Sequence, residues 1–64
     1  MTPHQQHVID EQIELADKLG KLNKVLDSEL FKGLAQEEKD RLRMQAIWMK
    51  GYNDVLLARI EAFS

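Results

Sequence analysis

The sequence predicts an all-α fold: an antiparallel two-helix hairpin that assembles as a homo-oligomer of hairpins. Three observations predict it. Apolar residues recur at helical spacings along two long stretches, as they do on one face of an amphipathic helix. A short connection containing Gly33 separates the stretches, and helices joined so closely become antiparallel neighbours. The second stretch, led by Arg41 and running through Phe63, carries two apolar rows. Leu42, Met49, Leu56 and Phe63 recur every seven residues, and Met44, Trp48, Gly51, Val55, Ala58 and Ala62 line a neighbouring face. An ordinary amphipathic helix has one stripe. Two stripes call for two partners, one from the same chain and one from another copy of it.

Length and composition set the frame for this reading. Sixty-four residues make a single domain, 1–64, and a small one. A chain this short rarely buries enough core to stand alone, so disulfides, a metal or self-association usually help. The sequence has no cysteine, which removes the disulfide and the thiolate metal site, leaves oligomerisation, and fits an intracellular location. No apolar run approaches the roughly 18 residues of a membrane span, and the polar N-terminus carries no signal peptide, so the chain is expected to be soluble, with no membrane partner. The formal charge is −2, with acids and bases interspersed. Duplex nucleic acid needs a dominant basic face and is not an expected partner. A small anionic ligand needs no more than a local cluster of Lys and Arg.

The first helix is expected over 3–27. Thr2 suits the N-cap, Pro3 suits the first helical position, and Gln5 stands three residues after Thr2 as in a capping box. Val8, Gln12, Leu15, Leu19, Leu22, Leu26 and Leu30 form a coiled-coil-like seam with one polar position, Gln12. Ile9, Ile13 and Ala16 make a shorter second row. The turn is expected over 28–35, with Ser28 capping a short helical turn. Gly33 supplies permissive backbone for the reversal, and Leu30, Phe31 and Leu34 plug the closed end. The second helix is expected over 36–63. Its cap is poor, but Glu37 and Glu38 lie in the first turn, where the helix dipole favours negative charge.

Few residues carry chemistry. His4, His7 and Glu11 share a face, but helical carboxylate metal sites place Glu three residues before His, and neither histidine has that partner. No Ser/His/Asp or Cys/His set and no phosphate-cradling glycine loop can be assembled. No catalytic residue, metal or cofactor is expected, and the chain is not read as an enzyme. Lys18, Lys21 and Lys24 read as a solvated face with i,i+4 partners such as Glu14 for Lys18. Arg41, Tyr52 and Arg59 fall between the two apolar rows, where burial is expected from both sides. A buried guanidinium must be paired. Either Asp or Glu across an interface meets these arginines, or an anionic ligand does, with Trp48 or Tyr52 stacking on a base. Arg43 points away from the seam.

The ordered set of short motifs resembles one family. The motifs are PHQQ-x-V-I-x-E from Pro3 to Glu11, E-L-x-x-K-L-x-K-L from Glu14 to Leu22, F-x-x-L-x-x-E-E from Phe31 to Glu38, and R-L-x-x-Q-x-x-x-M-x-x-Y-x-x-x-L-x-x-R-I-x-x-F from Arg41 to Phe63. Together they span nearly the whole chain and resemble the small helical-hairpin phage proteins that include the anti-CBASS cyclic-oligonucleotide sponge, whose hairpin is shared with the Thoeris anti-defence sponges. The resemblance implies a homohexamer in the bacterial host cytoplasm. It also implies binding, without cleavage, of cyclic dinucleotides, cyclic trinucleotides or cyclic ADP-ribose signals between protomers. A trinucleotide pocket built on an arginine of the second long helix, with small residues one turn later, implies Arg43 and Ala46, with Ile47 where a small hydroxyl residue would suit better. A dinucleotide pocket at the entry to the first long helix implies Thr2, His4 and Gln5. Characterised sponges also carry a short extra N-terminal helix with a base-stacking aromatic residue, whereas this sequence opens on the first long helix. The alternative expectation is a non-catalytic phage hairpin module that oligomerises or docks a protein and binds no nucleotide.

Overall fold

The computed structural model describes residues 1–63; Ser64, the last residue of the expected domain, lies outside the described residues. Three helices follow in order, α1 (Pro3–Leu26), α2 (Glu29–Lys32) and α3 (Gln36–Glu61). At 1.5 Å per residue α1 is about 36 Å long and α3 about 39 Å. They pack against each other within a body of 46 × 14 × 13 Å, so most of each helix lies beside the other.

Helix entry follows the Thr2–Gln5 spacing. The Thr2 hydroxyl accepts from the Gln5 backbone N–H at 3.1 Å, and the Gln5 side chain accepts from the Thr2 N–H at 3.0 Å. This reciprocal pair satisfies N–H groups that a helix start leaves without partners. Ser28 caps α2 without a return bond, its Oγ accepting from the Phe31 N–H at 3.3 Å. α3 begins at the N-cap Ala35, which has no side-chain oxygen to offer, and Glu37 and Glu38 occupy its first turn.

The seam is one row wide. On α1 it comprises Gln5, Val8, Gln12, Leu15, Leu19, Leu22 and Leu26. On α3 it comprises Leu42, Ala46, Met49, Asn53, Leu56, Ile60 and Phe63. Each set alternates steps of three and four and is buried or half-buried throughout. Leu56 is fully enclosed, and Val8 and Phe31 are 5% exposed. The polar position Gln12 is matched, since its amide Nε2 donates to Asn53 Oδ1 at 3.1 Å. That bond joins the first half of α1 to the second half of α3. A half-buried amide without a partner costs free energy, so the pair favours this register over its neighbours.

Three expectations for the connection and the second face need correction. Gly33 has φ −84° and ψ −5°, ordinary right-handed geometry, and no described residue has positive φ. The chain instead turns through extended backbone at Ser28 and Ala35, which any residue can adopt. Leu30 is 72% exposed and does not plug the closed end; one turn of helix in α2 aims Phe31 inward and Leu30 outward. Ile9, placed in a bare second row, is half-buried beside the seam, whereas Ile13 stays exposed.

The matched amides give a direct test. Gln12→Ala strands Asn53 and is expected to lower stability by about 1 kcal/mol or more. Replacing both Gln12 and Asn53 by Leu is expected to be neutral or stabilising. Urea unfolding measures both, and a double variant less stable than Gln12→Ala would contradict the assigned role of the pair.

Candidate ligand-binding surface

The described residues enclose no pocket. The surface is unevenly apolar. Met44, Ile47, Trp48, Tyr52, Val55 and Leu57 of α3 are all exposed, and Trp48 is the extreme at 71%. Gly51, Ala58 and Ala62 are exposed in the same row as Met44, Trp48 and Val55. The second row predicted from the sequence therefore stands uncovered on the single chain.

The polar residues expected between the rows are also at the surface. Arg41, Tyr52 and Arg59 are exposed rather than buried, because a lone helix pair covers only one side of α3. Arg41 Nε lies 3.0 Å from Glu38 Oε1. Tyr52 faces Glu11 across the helix pair. The Glu11 carboxylate, as an acceptor for the phenol, raises the Tyr52 pKa above its usual value of 10.0, desolvation and the Glu11 charge add to the shift, and Arg59 opposes it. The lysine face is solvated, with Asp17 rather than Glu14 supplying an ion pair, to Lys21 at 3.0 Å.

The site residues implied by the family resemblance occupy two separate places. Arg43 and Ile47 stand one turn apart on an exposed face of α3, and Ala46 falls in the seam, half-buried. The Arg43 guanidinium lies 5.0 Å from the centre of the Phe31 ring, and its Nη1 is 4.0 Å from Asp40 Oδ1. Thr2, His4 and Gln5 gather at the entry to α1, where Thr2 and Gln5 are engaged in the capping box and His4 is exposed. Asn53 and Phe31 were not singled out as functional residues. The sequence predicts Phe31 as a plug, and its contact with Arg43 depends on where α2 places it. Among the described residues no group of His, Asp or Glu could hold a metal, and no helix is long and apolar enough to cross a membrane.

The chain has one tyrosine, so its titration can be read by ultraviolet absorbance. Glu11→Gln is expected to lower the Tyr52 midpoint towards 10.0, because the charged acceptor is gone. A raised folded-state pKa means that the folded chain holds this proton more tightly than the unfolded one. The associated stability is present below pH 10 and is lost as pH climbs through the folded value. An unchanged midpoint in Glu11→Gln would contradict the pairing.

No curated protein and no solved structure matches the chain. One family model, described as Sequestin, matches residues 2–62. That span takes in both long helices and the connection between them. The family name denotes a sequestering, sponge-like role in which a ligand is held rather than converted, in accord with the sponge family that the ordered motifs resemble. On a match of this extent, the chain belongs to the Sequestin family.

Proposed function

We propose that the chain is a phage or prophage anti-defence protein. It binds cyclic oligonucleotide second messengers of the CBASS or Thoeris type and sequesters them in the host cytoplasm without cleaving them. Its working form is an antiparallel hairpin assembled with copies of itself, six in the arrangement the family resemblance implies. The observation that carries this reading is the Sequestin match over residues 2–62. The uncovered row on α3 supports the assembly, since soluble chains rarely leave a contiguous apolar strip in water.

Two sites follow from the resemblance. Arg43, with Ala46 and Ile47 beside it, meets the phosphates and one wall of a cyclic trinucleotide. Thr2, His4 and Gln5, at the N-terminus of α1, meet a cyclic dinucleotide, where the helix dipole favours a phosphate. Binding is stoichiometric, so efficacy scales with protein concentration rather than turnover. The uncovered row also favours a second reading, a phage interaction module that docks another protein and binds no nucleotide.

A thermal-shift series with cyclic di- and trinucleotides separates the two. A ligand at about a hundredfold its Kd adds about 2.7 kcal/mol to the native state and raises the melting temperature. Arg43→Glu is expected to abolish the rise given by trinucleotides while leaving the mass of the assembly unchanged. No rise with any cyclic nucleotide well above micromolar would contradict the proposal and leave the interaction module.

A further inference from the structure

Phe31 is buried at 5% exposure, and its backbone is pinned by the Ser28 cap. Two cations of α3 lie over its ring, the Arg43 guanidinium carbon at 5.0 Å and Lys39 Nζ at 6.0 Å. Both distances are within reach of the ring's negative face. Lys39 and Arg43 are four residues apart, and like charges at that helical spacing repel. The neighbouring acid does little to relieve this. Asp40 reaches Arg43 only at 4.0 Å and already accepts from Gln36 at 2.8 Å. Among the described residues Lys39 makes no ion pair. Two cations four residues apart on α3, both over one ring and with weak local compensation, form an arrangement that an external anion completes.

We propose that Phe31 is a positioning residue whose ring holds Lys39 and Arg43 as a two-cation clamp for one phosphate of a cyclic trinucleotide. This rests on the Arg43 site proposed above and adds Lys39 and Phe31 to it. The guanidinium presents its planar fork to two phosphate oxygens, and the ammonium acts as a point charge beside it. The ring restricts both long side chains before the ligand arrives, so less freedom is lost on binding. The aromatic face is needed for this, and an aliphatic side chain filling the same space does not supply it.

Calorimetric titration of the intact chain with cyclic tri-AMP tests the clamp. Phe31→Leu is expected to weaken binding about two- to fivefold, the factor that corresponds to an exposed cation–π contact. Phe31→Tyr keeps the ring face and is expected to bind like the wild type. Lys39→Gln is expected to weaken binding and flatten its salt dependence, because one phosphate contact is lost. In the free protein, ring current is expected to shift the Arg43 δ-methylene protons upfield, and Phe31→Leu removes that shift. Wild-type affinity in Phe31→Leu overturns the inference. So does an equal loss in Phe31→Leu and Phe31→Tyr, or unshifted Arg43 protons in the free wild type. Wild-type affinity in Arg43→Glu overturns the Arg43 site itself, and a wild-type chain that does not bind cyclic tri-AMP overturns the site and the clamp together.

Discussion

A seam one side chain wide joins α1 to α3, and among the described residues only Val8 and Leu56 along it, with Phe31 of α2, are buried. Two helices side by side form no interior of the kind a third or fourth helix would create, so most seam leucines remain half-exposed at the edges of the groove. Buried apolar area is the main favourable term in folding, and a chain of 64 residues has little of it to set against conformational entropy. The row from Met44 to Ala62 is the reserve. It is apolar, regular and uncovered, and covering it would give α3 a second buried face. The proposed assembly and the proposed inter-subunit sites both depend on that shortage of core.

The parts of the fold that were legible in the sequence are those written in large apolar residues or in short-range capping chemistry. The leucines of α1 show their alternation openly, and the Thr2–Gln5 box needs only local spacing. The α3 half of the seam was legible only as a repeat of seven, because Ala46 and Asn53 fill its intervening positions and neither resembles a core residue. Asn53 belongs to the seam because Gln12 lies opposite it, and no reading of α3 alone supplies that partner. Gly33 and Leu30 were misread for a related reason. The connection contains one turn of helix whose phase decides which side chains face inward, and composition does not record phase.

The candidate site was legible to a different degree. Arg43 was reached through the ordered motifs and not through spacing, and the same holds for Thr2, His4 and Gln5. The family match over residues 2–62 supports the reading of the chain as a sequestering protein. The place of Phe31 beneath Arg43 and Lys39 arises from a tertiary contact between α2 and α3, which sequence reasoning had no means to see. Phe31 is thus buried at one end of the helix pair while its ring lies against Arg43, so the proposed site would share a residue with the core.

On the proposed function, the uncovered row makes company with other copies a condition of stable folding. Sedimentation or light scattering of the purified chain over a dilution series into the low micromolar range tests this most directly, with circular dichroism read on the same samples. The account predicts a particle several times the 7.5 kDa chain mass, with helicity lost as the particle dissociates. A fully helical particle of single-chain mass at those concentrations would contradict it.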